Sequence, residues 1–436
     1  MLMTRLSIKN IGPIKETHLT INTVNIFMGP QSSGKSTIAK LISYCSWVEK
    51  DVVTNLSYDK YLQDDTFVSK LISYHKMKGY LDASSYIHYR SKIIDIKYSK
   101  EKVAFRWINK YAYKRNKIAY IPSERNMVTM PELEKLELPL NNIRSFLFDW
   151  FSARKCFDVK NAIEILNLGV NYYYSDDVRE SHIKALSTNS QYDILLSNAS
   201  SGLQSLIPLH ILVEYLTKWI YTHDEELSFD ERVKRNEIDV ALFSDLVLFP
   251  YALEQNISIT KENVKDVLQS VIARIKDDKQ LSKRAIEWEK IRRNFSRNIG
   301  TQFIIEEPEQ NLFPETQRDF IYYLLKRCFK DNIHKNNLTI TTHSPYILYS
   351  INNCLLGFLC KKKIPQSEKK QMLSKDAWIN PKNVSVWEII DEGELKGTLR
   401  RIQDADGIIS ENYFDIKMTE LTNEYYEILN YFNNEE

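Results

Sequence analysis

Nine residues, Gly29 to Thr37 (GPQSSGKST), follow the apolar stretch Val24 to Met28 in a chain with 11 glycines among 436 residues. At ordinary residue frequencies, a G-x-x-x-x-G-K-[ST] match in such a chain has a chance below about one in a hundred. An apolar strand, a glycine-bounded turn and an amphipathic segment in this order read as the phosphate-binding opening of a parallel α/β sheet. Side chains at Gly29 and Gly34 would obstruct the curl, so the backbone of Pro30, Gln31, Ser32 and Ser33 is free to wrap a β-phosphate. Lys35 then reaches the β- and γ-phosphates, and the Ser36 hydroxyl is placed for Mg²⁺. The helix beginning near Lys35, through Thr37, Ile38, Leu41 and Ile42, turns its positive end to the anion. The expected ligand is a nucleoside triphosphate.

Three distant segments narrow the chemistry. Phe303 to Glu306 is an apolar strand that runs into Glu306-Glu307-Pro308-Glu309. Carboxylates at the C-terminal end of a parallel strand lie beside a phosphate loop. Glu306 is expected to assist Mg²⁺ and Glu307 to orient and polarise an attacking water. Leu338 to Thr342 is a β-branched run closed by His343-Ser344-Pro345, which makes His343 a γ-phosphate sensor. Asn198 to Gln204 (NASSGLQ) precedes the helical pattern Leu206, Leu209, Leu212, Val213 and Leu216. Taken alone it is open to a plain N-cap reading; the order of the four segments favours a functional one.

These segments resemble those of the ABC-type ATPase superfamily, an α/β P-loop NTPase head with an antiparallel β subdomain and helical insertions. The resemblance is to the bacterial stand-alone branch, which includes the overcoming-lysogenization-defect ATPases and the AAA-type ATPase subunits of anti-phage systems of the PtuA and AriA kind; chromosome-maintenance (SMC) heads are more distant. It rests on LSIKNIGPIKE (Leu6 to Glu16), NIFMGPQSSGKST (Asn25 to Thr37), YIPSER (Tyr120 to Arg125), SNASSGLQSL (Ser197 to Leu206), IIEEPEQNLFP (Ile304 to Pro314) and TTHSPYIL (Thr341 to Leu348). It implies two copies clamping ATP and Mg²⁺, with Ser200, Ser201 and Gly202 of one copy meeting the γ-phosphate held by the other. Gln310 to Phe313 then forms a loop across the dimer interface. Lys35, Glu307 and His343 carry hydrolysis, and Ser36 and Glu306 hold the metal.

Four departures from the commonest pattern matter. Glutamate replaces aspartate at 306, and ASSGLQ replaces the usual signature. No clear glutamine loop is present: Glu124 or Arg125 is open to that role, and Arg125 equally to a salt-bridged structural one, which is the reading preferred. Gly202 and Glu306 lie about a hundred residues apart, against one helix and a short loop in a transporter subunit.

The inserted stretch is charged and helical in pattern, with Val264, Val267, Leu268, Val271, Ile272 and Ile275 on one face. Its end, Arg274 to Arg297, holds nine Lys/Arg against four Asp/Glu, with Trp288 and Phe295 interleaved. A nucleic-acid arm is one reading and a solvated basic helix the preferred one. Lys92 to Tyr98 with Lys102 to Trp107 reads as a hairpin, and Val170 to Tyr174, His182 to Leu186 and Tyr192 to Leu196 as a meander, both suited to the antiparallel subdomain. Phe146, Phe148, Trp150 and Phe151 are expected to be buried.

The expected organisation is residues 1–220 for the first part of the head, 221–298 for the insertion, 299–350 for the rest of the core, and 351–436 for a helical lid whose 351–380 stretch is mobile. A formal charge of +2 restricts any nucleic-acid contact to a local patch. Five scattered cysteines, an N-terminus without an apolar signal core and the absence of a membrane-length apolar run lead to the expectation of a cytoplasmic protein that contacts no membrane. Asp404-Ala405-Asp406 is read as a turn before a helix rather than a nuclease acid pair. The leading expectation is the ATPase subunit of a bacterial anti-phage defence system. It would be at least a homodimer, controlling a separate nuclease or toxin effector in response to a phage protein or nucleic acid. The alternatives are a DNA-repair or chromosome-maintenance head and, less favoured, a transporter subunit.

Overall fold

The computed structural model describes residues 3–432 apart from 131–132, 136, 138, 187–190 and 223–228. Those positions, with 433–436, lie outside the described residues of the expected 1–220, 221–298 and 351–436 segments. The chain opens with a hairpin of β1 (Thr4–Ile11) and β2 (Ile14–Ile21), and β3 (Val24–Met28) leads into α1 (Lys35–Asn55). Next come α2 (Thr66–His75), β4 (Tyr86–Arg90), β5 (Ile94–Ser99), β6 (Lys102–Trp107) and β7 (Asn116–Ile121). α3 (Asn142–Arg154) is followed by β8 (Ile163–Glu164), β9 (Val170–Ser175), β10 (Glu180–Ala185), β11 (Asp193–Leu195) and α4 (Ser201–Thr217). The insertion folds as α5 (Phe229–Phe243), α6 (Phe249–Glu254), α7 (Val264–Arg274) and α8 (Lys279–Ser296). The remainder is β12 (Gly300–Glu306), α9 (Pro314–Leu325), β13 (Asn337–Thr342), α10 (Pro345–Cys360), α11 (Gln366–Lys369), β14 (Val384–Ile390), β15 (Thr398–Arg401) and α12 (Tyr413–Phe432).

A six-stranded sheet in the order β15-β14-β3-β13-β12-β7 forms the centre, parallel throughout except for β15. All five residues of β3 are buried, as in a parallel strand covered on both faces. On one face, Val24, Ile26, Phe303, Ile305, Leu338 and Ile340 pack against α3, α4, α9 and α10. On the other, α1 lies between this sheet and a five-stranded antiparallel sheet, β2-β1-β4-β5-β6, its Ile38, Leu41, Ile42 and Val48 sharing a core with Leu6, Ile8, Ile87 and Ile96. The fold is therefore α/β, a mostly parallel central sheet with an antiparallel β subdomain and helical insertions, the architecture expected from the resemblance to ABC-type P-loop heads.

Several expectations change in detail. The hairpin and the meander both form, but as parts of different sheets: β5 and β6 complete the antiparallel subdomain, while β9 to β11 join β8 in a four-stranded sheet beside α3. Phe146 and Trp150 are buried, whereas Phe148 is 56% exposed beneath the Arg144 guanidinium. In the insertion Val267 and Val271 are buried while Ile272 faces outward. The insertion is tied to the body, because Leu242, Ile291 and Phe295 enter the core of the antiparallel sheet. Trp288 packs edge-on against Phe243, and Arg284 and Arg292 pair with Glu254 and Asp239, so neither aromatic residue of the basic segment offers a free stacking surface. The 351–436 segment is more than a helical lid, since it supplies β14 next to β3. Its expected mobile stretch begins inside α10, where Ile351, Cys354 and Leu355 are buried and Trp378 packs on Gly357. Asp404 accepts hydrogen bonds from the N–H groups of Asp406 and Ile408, which makes the expected turn.

Candidate functional site

Parallel pairing brings the C-terminal ends of β3, β13, β12 and β7 side by side, so Gly29 to Thr37, His343, Glu306 to Glu309 and Pro122 to Arg125 leave one edge of the sheet. This is the edge at which open α/β sheets bind ligands. The phosphate loop turns through Gly29 (φ 151°), Ser32 (φ 59°) and Gly34 (φ 111°). A Cβ on Gly34 would stand 2.5 Å from Ile14 Cδ1. Lys35 is buried inside the loop, its Nζ donating to the carbonyl oxygens of Gly29 (2.8 Å) and Pro30 (2.6 Å). Burial pulls its pKa down to about 8 against the opposing attraction of Glu307, Glu309 and Asp391.

The residues present fit a phosphate with a bound cation. Ser33 Oγ is buried without a hydrogen-bond partner, and α1 begins at Gly34 with neither a side-chain cap nor an acidic residue in its first turn. Among the described residues no three His, Cys, Asp or Glu side chains gather as a metal-binding group. A cation here would take Ser36, Glu306 and phosphate oxygens, the donor set Mg²⁺ prefers.

Glu306 is buried, and its Oε1 accepts a hydrogen bond of 2.7 Å from the Tyr120 hydroxyl. Glu307 adopts a left-handed backbone (φ 44°) while its N–H donates to Thr341 O at 2.9 Å. That turn brings Glu307 Oε1 to 3.1 Å from His343 Nε2. The hydrogen bond from His343, followed by the charges of His343, Lys35 and Arg125, holds the Glu307 carboxyl below the usual range, so it is ionised at neutral pH. Glu309 is the brace behind this pair: its Oε1 accepts from the Thr342 hydroxyl (2.9 Å) and from the His343 N–H, fixing the loop that carries the imidazole.

Arg125, fully buried, pairs with no carboxylate among the described residues and hydrogen-bonds to four carbonyl oxygens instead. Its Nε donates to Ser205 O (3.0 Å), Nη1 to Pro122 O (3.3 Å) and Glu306 O (2.9 Å), and Nη2 to Glu307 O (2.8 Å). The structural reading of this residue thus stands with different partners. The guanidinium fork ties α4 to the turn carrying both acids. Ser200 caps α4 by accepting from the Leu203 N–H (3.5 Å), and Ser200 and Ser201 are exposed at its tip. Asn311 braces the same helix, its Nδ2 donating to Ser205 Oγ (3.0 Å), while Phe313 projects outward, 76% exposed.

Sequence reasoning missed Tyr120, Glu309 and the partners of Arg125. The only available signal was adjacency, since Tyr120 and Arg125 lie within YIPSER and Glu309 within EEPE. Replacing Tyr120 with Phe leaves a buried carboxylate oxygen without its donor. The variant is expected to lose about 1–3 kcal/mol of unfolding free energy, read by urea denaturation.

Fold and edge geometry together give an α/β sheet whose ligand-binding edge carries the Gly29 to Thr37 loop, the acids Glu306 to Glu309 and His343. No protein-family model and no curated protein matches the chain. Among solved structures it is similar to the SMC head domain from Thermotoga maritima, with 9% identity over 94% of this chain and 100% of that one and a TM-score of 0.37. It is also similar to the Smc head domain with an extended coiled coil bound to the C-terminal domain of ScpA, derived from Pyrococcus furiosus (8%, 98% and 100%, TM-score 0.35). A third similar structure is the recombination mediator protein RecF (10%, 92% and 98%, TM-score 0.30). No described helix is long and apolar enough to cross a membrane.

Proposed function

We propose that the chain is an ATP-hydrolysing ABC-type subunit that closes ATP and Mg²⁺ between two copies of itself and, as part of a bacterial anti-phage system, controls a separate effector in the cytoplasm. The observation that carries the ATPase reading is the pairing of Glu307 with His343 on the sheet edge that also presents Lys35 and Glu306. Residues Gly29 to Thr37 grip the phosphates, with Lys35 supplying charge; Ser36 and Glu306 hold Mg²⁺. Mg²⁺ held by these two side chains would supply positive charge to the phosphates. Glu307 takes up the proton of the attacking water, and His343 orients Glu307 and meets the γ-phosphate. Ser200, Ser201 and Gly202 of the second copy complete the site with hydroxyl and backbone N–H groups.

The exposed, capped tip of α4 supports a contact in trans, since an N-terminal anion site is useful only where a ligand can reach it. The defence role rests on the combination of EEPE-x-x-L-x-P with THSP. A coiled-coil-armed head is disfavoured: between β7 and α4 the longest described helix is α3, with 13 residues.

Mixing tests the sandwich. Lys35→Ala removes one cradle and Ser201→Arg blocks one helix tip, so each variant alone is expected to be inactive. Random pairing of the two restores one intact composite site in mixed dimers, and turnover up to roughly a quarter of wild type. Failure to recover activity on mixing removes the trans arrangement. The genes beside this one test the defence role: a neighbouring nuclease or toxin supports it, and a repair operon replaces it.

A further inference from the structure

At the end of the central sheet opposite the phosphate loop, where β3, β7 and β13 begin, lies a cavity of about 610 Å³. Ser46, Glu49 and Lys50 of α1 line one side of it. α1 starts at the phosphate loop, so at 1.5 Å per residue these side chains lie about 20 Å from Lys35. Three lysines meet in the cavity from connections far apart in sequence: Lys92 from the turn between β4 and β5, Lys114 from the approach to β7, and Lys335 from the approach to β13. Among the described residues no carboxylate lies within salt-bridge distance of any of the three. Burial, followed by the charges of Lys335, Lys92 and Lys290, pulls the pKa of Lys114 down. A fourth lysine, Lys50, donates to the Asn116 carbonyl oxygen (2.9 Å). Glu49 is the one carboxylate among the described lining residues, and it accepts from the Ser91 hydroxyl. Burial pushes its pKa up to about 7 against the hydrogen bonds of Ser91 and Tyr89 and the charge of Lys92, so at neutral pH it offsets only part of one positive charge.

We propose that this cavity binds a small anion carrying two or more phosphate groups, seated among Lys92, Lys114 and Lys335. Its volume lies within the range of small-molecule sites. Like charges gathered around one recess repel one another until an anion enters, and a single negative charge would leave most of that repulsion in place. Phosphate groups offer several oxygen acceptors at once, which suits ammonium groups with three donors each. The lysines line a recess and not a ridge, and the whole chain has a formal charge of only +2, so a nucleic-acid duplex is the less suitable occupant. Ile93, Ile118 and Phe329 add apolar wall beside the lysines, which leaves a place for an organic body attached to the phosphates. No residue of the phosphate loop takes part, so this site is independent of the ATP sandwich proposed above.

The test is calorimetric titration of pyrophosphate, without Mg²⁺, into the full chain carrying Lys35→Ala, which disables the phosphate loop. Saturable binding at one site is expected. Adding Lys92→Glu with Lys114→Glu should weaken it at least about thirtyfold, since two charge-assisted contacts become repulsive. Lys114→Gln, at an exposed position, should weaken it about fivefold and keeps the test open should the double variant misfold. Charge reversal at Lys362 and Lys363, exposed and outside the cavity, should leave the affinity within about threefold of the parent. ADP in place of pyrophosphate separates the two sources of such an anion: tighter binding points to a nucleotide-like ligand, and weaker binding to inorganic polyphosphate. No binding of pyrophosphate, equal binding by the parent and the cavity variants, or equal weakening by the Lys362 and Lys363 reversals would each overturn the proposal.

Discussion

Replacing Glu307 with Gln is expected to lower ATP turnover about a hundredfold or more while nucleotide binding stays close to wild type. Glutamine has the shape of glutamate and is able to hold the left-handed turn at position 307 and a hydrogen bond with His343, but it cannot accept the proton of an attacking water. The carboxyl is ionised at neutral pH through the His343 hydrogen bond and the nearby positive charges. The variant should therefore trap the ATP-bound state and accumulate as a nucleotide-dependent assembly. Steady-state phosphate release, equilibrium binding of a fluorescent nucleotide and sedimentation with ATP read the three effects separately. Turnover near wild type would remove Glu307 from its assigned role, whatever the state of Lys35.

The second large effect is expected at Arg125. Truncation to Ala strips donors from the carbonyl oxygens of Ser205, Pro122, Glu306 and Glu307, all close to a buried guanidinium. A buried acceptor left unsatisfied costs about 1–3 kcal/mol, and partial relaxation with water entry brings the expected loss to about 3–5 kcal/mol in denaturant unfolding. Burial lowers the pKa of Arg125 to about 10 against the attraction of Glu309, Glu307 and Glu306, so it remains charged at neutral pH. Arg125→Lys should rescue little, because a single ammonium cannot span carbonyls on α4 and on the 306–307 turn. Turnover should fall with stability in both variants, since the same fork positions the backbone of Glu307. A Lys variant as stable and active as wild type would show the fork to be dispensable.

The phosphate loop, the two acids after β12 and the histidine after β13 were legible in the sequence because each is local. A glycine pattern, an apolar run ending in carboxylates and a β-branched run ending in His-Ser-Pro each report their own backbone geometry. Tyr120 and Glu309 were not legible as partners of Glu306 and His343. A tyrosine near the end of an apolar strand and a third acid after a proline carry no mark of what they touch, and pairing of β12 with β7 on one side and β13 on the other supplies that information. The split of the β-rich patches was hidden for the same reason: alternation identifies a strand and one buried face, but not the sheet it enters.

By itself, then, the amino-acid order determined where the glycine-bounded loop turns, which carboxylates follow which strand, and that the chain is an α/β fold with inserted helices. Only the tertiary structure decided that β14, drawn from the C-terminal segment, lies beside β3, that Arg125 bonds carbonyls in place of carboxylates, and that α12 has no buried residue. The difference is physical. Turns and strand ends are fixed by neighbours a few residues away, whereas parallel strand order and the partners of a buried side chain are settled by packing between segments hundreds of residues apart.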